Sequence, residues 1–130
     1  MIVAALAIHH SRRMNMDLVQ TSQMQGNVPV TVFHIQDRIN LSNYKLMEDA
    51  AKQAYENGTR DLVIDLSKTD SLTSIGIRAL VAIYKLLGTD GGKHLKLAGV
   101  IPPMREMFNV AGITGFIEIY DTVDEAVASF

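Results

Sequence analysis

The chain has 130 residues, a formal net charge of −2 and no cysteine. A chain of this length is typical of one domain, and it can bury a hydrophobic core without disulfide bonds. The lack of cysteine excludes a disulfide framework and thiolate metal sites, which suits a cytoplasmic protein. Because Lys and Arg form no basic cluster, we do not expect nucleic acid to be a partner.

The N-terminal region contains a short apolar run, residues 2–8, which histidines and arginines follow. A secretory signal places its positive charge before the apolar core, and here that order is reversed. The run is also much shorter than the roughly 20 residues that span a bilayer, so we expect no membrane insertion. We interpret residues 1–16 as a flexible extension and residues 17–130 as the domain, with Met14 and Met16 as alternative start sites.

Two predicted strands open the domain. Residues 18–25 alternate loosely between apolar and polar side chains, which indicates an edge strand. Residues 28–35 alternate more regularly, and Pro29 lies at the strand's start, where a missing N–H donor is tolerated. Because Gly26 and Asn27 give a turn signal between them, the two strands are predicted to form an antiparallel hairpin that supplies edge strands to the sheet.

A helix is predicted over residues 42–57, after a loop at residues 37–40. Its apolar side chains recur on one face, while Lys and acidic residues occupy the other. The apolar stripe consists of Leu46, Met47, Ala50, Ala51 and Ala54. Asn57 and Gly58 are a stop signal, since glycine readily takes the left-handed conformation found at helix ends.

The central part of the chain predicts a buried strand followed by a buried helix. Residues 61–67 contain a nearly continuous apolar run, as in a strand covered on both faces. Residues 75–87 have apolar side chains at intervals of three and four, as in a helix. The polar loop between them ends at Ser74, which we predict to be the N-cap, because a serine hydroxyl can accept a hydrogen bond from the first turn.

The position of Ser74 has two interpretations. In the first, Ser74 only caps the helix. In the second, it marks an anion or phosphate site, because a helix N-terminus carries partial positive charge and free N–H donors, and Gly76 leaves room for close approach. Nucleophilic catalysis is not expected, because Leu72 occupies the first glycine position of a nucleophile elbow and no histidine lies nearby in sequence.

The remaining elements complete an alternating pattern. Residues 94–100 and 116–120 predict strands. Pro102 opens a helix that Gly112 closes, and residues 122–125 match a capping box before a short terminal helix. The order of elements predicts a single small α/β domain with a mostly parallel sheet of about five strands flanked by about four helices.

Several short segments, taken together, resemble the signature of a known family. They are Asp37-Arg38-Ile39-Asn40, Asp65-Leu66-Ser67, Thr73-Ser74-Ile75-Gly76-Ile77 with Leu80, and Val100-Ile101-Pro102-Pro103-Met104 with Phe108 and Ala111-Gly112-Ile113. This set resembles STAS domains, the family of anti-sigma factor antagonists, over residues 28–130. In that family the serine two places before the glycine is phosphorylated by the partner, an anti-sigma factor that is a serine kinase. The resemblance therefore implies that Ser74 is a phosphorylation site.

The resemblance also implies a binding module and not an enzyme. Unmodified, it would sequester an anti-sigma factor and so free a sigma factor. Phosphorylated on Ser74, it would release the anti-sigma factor, and a phosphatase would reset it. The expected partner-binding residues are Asn40, Thr73, Ser74, Ile75, Gly76 and Arg78. No cofactor and no metal ion are expected.

Two other functions stay open from the sequence. The first is a STAS scaffold of another kind, namely a subunit of a transporter, part of a stressosome-like complex, or a module that senses a small ligand. The second is a small enzyme, which would need a second polar group beside Ser74. The candidates for that group are Asp37, Asn40 and Asp70.

Overall fold

The computed structural model describes residues 18–88, 90–91 and 93–130. The expected extension, residues 1–16, lies outside this part of the chain. The elements are, in order, β1 (Val19–Gln25), β2 (Pro29–Ile35), α1 (Tyr44–Glu56), β3 (Leu62–Asp65), α2 (Ser74–Leu87), β4 (Leu95–Ala98), α3 (Pro102–Ala111), a 3₁₀ turn (Ile113–Gly115), β5 (Glu118–Tyr120) and α4 (Val123–Ala128).

The five strands form one sheet in the order β1-β2-β3-β4-β5. β1 and β2 are antiparallel, and the three other pairings are parallel. This confirms the predicted small α/β domain with a mostly parallel sheet. Both hairpin strands were expected at the edge, which is wrong for β2, because β2 also pairs with β3.

The sheet is buried on both faces, because successive residues of a strand point to opposite sides. Phe33 and Ile64 belong to the larger core, which also takes in buried residues of α1, α2 and α3. Val32 and Val63 belong to a smaller cluster that packs against α4. This two-sided burial explains why the central strand reads as a continuous apolar run.

The predicted signals at three later boundaries are confirmed. Pro102 begins α3, and Gly112 ends it in the left-handed conformation with φ 83°. Thr122 and Glu125 form the capping box of α4.

Two other boundaries differ from the sequence expectation because side chains replace backbone partners. α1 begins at Tyr44 and not at residue 42, since Asn40 Oδ1 accepts a hydrogen bond from the N–H of Ser42 at 2.9 Å. β3 ends at Asp65, whose Oδ1 accepts a hydrogen bond from the N–H of Ser67 at 3.0 Å. Local bonds of this kind offer the backbone an alternative to a helix or a ladder.

Candidate partner-docking site at the start of α2

Ser74 is the first residue of α2, and its side chain is exposed. The N-cap is Thr73, with an extended backbone (φ −81°, ψ 175°), so the prediction that Ser74 is the N-cap is wrong by one residue. The carbonyl of Thr73 accepts hydrogen bonds from the N–H groups of Gly76 and Ile77, at 2.9 and 3.2 Å. Ser74 still lies in the first turn, where backbone N–H groups lack partners within the helix.

The loop before α1 is fixed against the start of α2 by backbone hydrogen bonds. Ile39 and Leu72 form a parallel bridge. The N–H of Ile39 donates to the carbonyl of Ser71 at 3.0 Å, and the N–H of Thr73 donates to the carbonyl of Ile39 at 3.1 Å. Ile39 and Leu72 are both buried. Residues 37–42 and the first turn of α2 therefore lie together at the carboxyl ends of the parallel strands, as expected for loops that follow adjacent strands of such a sheet.

Gly76 is buried beneath this bridge and does not reach the surface. A Cβ atom at this position would lie 2.7 Å from Leu72 Cγ and 3.0 Å from Ile39 Cγ2. The missing side chain therefore makes room for the two bridge residues inside the protein. The packing of these two residues accounts for the glycine, while a contact between Gly76 and a partner stays a prediction.

The other expected site residues differ in exposure. Thr73, Ser74 and Arg78 are exposed, while Ile75 is half-buried. Asn40 is also half-buried, and its Oδ1 accepts hydrogen bonds from both the N–H and the hydroxyl of Ser42, at 2.9 and 2.6 Å. The side chain of Asn40 thus shapes the loop before α1 as well as bordering the surface.

Leu41 is not among the residues expected from the sequence, yet its side chain is 75% exposed. Leu41 lies two residues beyond Ile39, so the bridge between Ile39 and Leu72 holds it at the same end of the sheet as the start of α2. Its signal in the sequence is weak, because it is one apolar residue in a polar loop and belongs to no periodic pattern.

Three neighbouring hydroxyl residues could compete with Ser74 as the modified position. Ser67, Ser71 and Thr73 are all exposed, so exposure does not distinguish them. Ser67 lies against Gly99, where an added Cβ would be 2.9 Å from Ser67 Cβ. Among the four, Ser74 is the residue that lies inside the first turn of the helix.

The polar residues considered as catalytic partners of Ser74, namely Asp37, Asn40 and Asp70, make no hydrogen bond to it in the described part of the chain. Asp37 Oδ1 instead accepts from the N–H of Arg38 at 2.7 Å. Across residues 18–88, 90–91 and 93–130, no group of three or more His, Cys, Asp or Glu side chains could hold a metal ion.

A Ser–His–Asp chain of hydrogen bonds lies on three neighbouring strands. His34 Nδ1 is 2.8 Å from Asp65 Oδ2, and His34 Nε2 is 3.0 Å from Ser22 Oγ. Burial raises the pKa of Asp65, but hydrogen bonds from the N–H of Ser67 and from His34 outweigh this, so the pKa lies below its ordinary value. Ser22 sits mid-strand, paired with Val32, and not on the sharp turn of a nucleophile elbow. These hydrogen bonds therefore link three strands, and Ser22 does not have the geometry of a nucleophile.

The family model for the STAS domain matches residues 21–126 of this chain. The chain therefore belongs to the STAS domain family, and its α/β architecture is that of the family's solved structures. None of the described helices has the length and apolar character needed to cross a membrane.

Three relatives illustrate this similarity. A Bordetella bronchiseptica protein that carries the name anti-sigma factor antagonist BtrV is 27% identical over 96 residues, which covers 74% of this chain and 82% of that protein. The crystal structure of an anti-sigma factor antagonist from Mycobacterium paratuberculosis has a TM-score of 0.72 and 25% identity, covering 87% of this chain and 94% of that one. A sulfate transporter family protein from Wolinella succinogenes has a TM-score of 0.63 at 18% identity, covering 77% and 83% of the two chains.

Proposed function

We propose that this protein is an anti-sigma factor antagonist whose binding is switched by phosphorylation of Ser74. The observation that carries the proposal is the placement of Ser74. Its side chain is exposed in the first turn of α2, beside a loop that the Ile39–Leu72 bridge holds in place. A hydroxyl in this position is accessible to a kinase and is surrounded by a preformed surface.

A phosphoryl group at Ser74 would be stabilised by the helix without reshaping the domain. It adds a charge of about −1.5 to −2 and three strong acceptor oxygens. The partial positive charge and free N–H groups of a helix N-terminus favour such an anion by about 0.3–1 kcal/mol. Domains are stable by about 5–15 kcal/mol, so this gain is too small to change the fold. The switch is therefore local, and the partner is removed by charge repulsion and crowding at the contact surface.

The docking surface consists of residues 37–42 together with the first turn of α2. Its exposed apolar residue is Leu41, Arg38 is an exposed cation in the loop, and Arg78, one turn along α2 from Ser74, adds a second exposed cation. Thr73, Ser74 and Ile75 complete the helix side of the surface, while Asn40 keeps the loop in shape. Apolar anchors beside polar side chains are the usual composition of a protein–protein contact.

The proposed partners are an anti-sigma factor that is a serine kinase and a phosphatase that acts on phosphorylated Ser74. The unmodified protein sequesters the anti-sigma factor in the bacterial cytoplasm, and the phosphorylated protein releases it. In this scheme the protein is a kinase substrate and has no catalytic activity of its own.

The test is a pull-down from a lysate of the source organism with three baits. We expect Ser74→Ala to retain an anti-sigma factor kinase and Ser74→Asp to lose it. Ser71→Asp is the matched control, because it adds the same charge to an exposed serine of the loop that precedes α2, outside the helix. Equal recovery of the kinase by the Ser74→Ala and Ser74→Asp baits would refute the proposed switch.

The modified residue is identified by incubating wild type and Ser74→Ala with the recovered kinase and ATP. Mass spectrometry should find one phosphorylated peptide in wild type and none in Ser74→Ala. A phosphopeptide that persists in Ser74→Ala would refute Ser74 as the modified residue.

A further inference from the structure

The two edges of the sheet differ in length and charge. β5 has three residues, and its Glu118 forms ion pairs with Lys93 and Lys96 at 3.5 and 3.2 Å. β1 has seven residues with the sequence VQTSQMQ, which contains no charge and no proline. Natural proteins protect open edges with short strands, charges, prolines or bulges. β5 has such protection, whereas none is found at β1 among residues 18–88, 90–91 and 93–130.

The hydrogen bonds at both ends of the hairpin identify which backbone groups of β1 face outward. The N–H of Gln36 donates to the carbonyl of Leu18 at 2.8 Å, and the N–H of Gly26 donates to the carbonyl of Val28 at 3.1 Å. In an antiparallel ladder, alternate residues direct both backbone groups to the same partner. The even-numbered residues of β1 therefore pair with β2. The residues whose backbone N–H and C=O groups point away from β2 are Val19, Thr21, Gln23 and Gln25.

We propose that β1 pairs with β1 of a second copy of this chain, antiparallel, about a two-fold axis at Ser22. In this register Val19 lies opposite Gln25 of the second copy, and Thr21 lies opposite Gln23. Every outward N–H and C=O of both strands then has a partner. A register shifted by two residues would leave some of these groups unpaired at both ends, and a shift by one would place inward-facing groups opposite outward-facing ones.

The side chains agree with this pairing. Because β1 carries no charge, no like charges oppose each other across the axis. The contact is isologous, so it closes at two copies and does not propagate into a fibre. It joins two five-stranded sheets into one continuous sheet. None of its residues belongs to the surface around Ser74, so the inference is independent of the proposed function.

The register is tested by single cysteines, since the chain has none of its own. Ser22 would face its own copy in a non-hydrogen-bonded pair, where Cα atoms are about 4.5 Å apart, a distance that a disulfide spans. Ser22→Cys should therefore form a covalent dimer on mild oxidation. Gln20→Cys is the control, because its two copies would lie about 13 Å apart. Failure of Ser22→Cys to cross-link, or equal cross-linking of both variants, would overturn the proposal.

A charge-swap experiment tests the dimer without relying on Ser22, whose hydroxyl contacts His34. Wild type should change from monomer mass to dimer mass by light scattering as its concentration rises. Thr21→Lys and Thr21→Glu should each remain monomeric, because equal charges then meet diagonally across the axis. An equimolar mixture of the two should regain the dimer.

Thr114→Lys adds the same charge to an exposed residue of the 3₁₀ turn and should not affect the dimer. A wild-type chain that stays monomeric at all concentrations would overturn the proposal, including the case in which residues 1–17 cover this edge. A dimer that survives both charge variants of Thr21 would also overturn it.

Discussion

The two ends of the parallel strands are stabilised in different ways. At the amino end, charged side chains bind one another: Lys96 Nζ contacts Glu118 Oε1 at 3.2 Å, and His94 Nδ1 contacts Asp61 Oδ1 at 2.8 Å. At the carboxyl end one charged pair, His34 with Asp65, joins β2 and β3, while backbone hydrogen bonds hold the loop before α1 against the start of α2, and Ser74 stays exposed. The side chains at the amino end thus hold the fold together, while the carboxyl end leaves Thr73, Ser74 and Arg78 exposed.

The largest expected loss of stability comes from Lys96 at the amino end. Its Nζ donates to the carbonyl and hydroxyl of Ser129, at 3.1 and 2.7 Å, and lies 4.2 Å from the ring centre of Phe130. Lys96→Met keeps the apolar stem but removes these bonds and the ion pair with Glu118. We expect a loss of about 2–3 kcal/mol in the free energy of unfolding, measured in urea. Lys52→Met, on the exposed face of α1, is the control. Equal free energies of unfolding for the two variants would show that the contacts of Lys96 at the amino end do not stabilise the fold.

The next largest effect is expected at Gly76 on the carboxyl end. Gly76→Ala would place a Cβ 2.7 Å from Leu72 Cγ, and overpacking of this kind costs about 1–3 kcal/mol. The better helix propensity of alanine offsets about 1 kcal/mol of that cost. We expect a net destabilisation of up to about 2 kcal/mol by urea unfolding, together with weaker partner binding.

Gly115→Ala is the matched control for Gly76→Ala, because a Cβ at Gly115 would meet nothing within 4 Å. If Gly76→Ala were as stable as Gly115→Ala and bound the partner normally, the bridge would not depend on this close contact.

A smaller effect, dependent on pH, is expected at His94. The hydrogen bond to Asp61 raises the pKa of His94 above 6.5, and the charges of Asp61 and Asp90 add to this against the opposing effect of burial. A raised pKa means that the stabilisation is full below pH 6.5 and is lost as the pH rises through the folded-state value. The melting temperature of wild type should therefore fall from pH 6 to pH 8 relative to that of His94→Asn.

The acidic groups with shifted pKa values do not interfere with this measurement. Asp65 and Glu118 both have pKa values lowered from 3.8 and 4.5, so their contributions are lost only in more acidic solution. Parallel melting curves of wild type and His94→Asn across neutral pH would show that the His94–Asp61 contact adds no stability.

The smallest change in stability is expected at Leu41, on the carboxyl end. Its side chain is 75% exposed, so Leu41→Ala should alter the free energy of unfolding by less than about 0.5 kcal/mol. The same substitution should weaken partner binding by about 1 kcal/mol or more, measured by calorimetry. Val110→Ala, at a residue that is 81% exposed on α3, is the control and should bind normally. Equal affinity of both variants would place the contact elsewhere.

The order and type of the elements were predictable because each has a regular period or a strong terminal signal. Pro102 and Gly112 mark α3, and a capping box at Thr122 begins α4. The N-cap of α2 was misplaced because Thr73 and Ser74 are both favoured cap residues, so the pattern alone does not choose between them.

The contacts that were missed join distant parts of the chain. His34 meets Asp65 across 31 positions, and no local pattern links them. Lys96 alternates with apolar residues and reads as solvent-facing, but residues 129–130 close over it. The candidate site residues were chosen by resemblance, whereas the packing of Gly76 and the hydrogen bonds of Asn40 required the tertiary structure.

The contact between the β1–β2 turn and the C-terminal residues has a consequence for synthesis of the chain. Asn27 Nδ2 donates to the carbonyl of Phe130 at 2.9 Å, across 103 positions, and Gly26 lies directly against Val127, where an added Cβ would be 2.8 Å from the carbonyl oxygen. Ribosomes add about 5–20 residues per second, so the hairpin emerges several seconds before the segment that covers its turn. During that interval the residues of the hairpin lack their final packing, and a slowed ribosome would lengthen their exposure to chaperones and proteases.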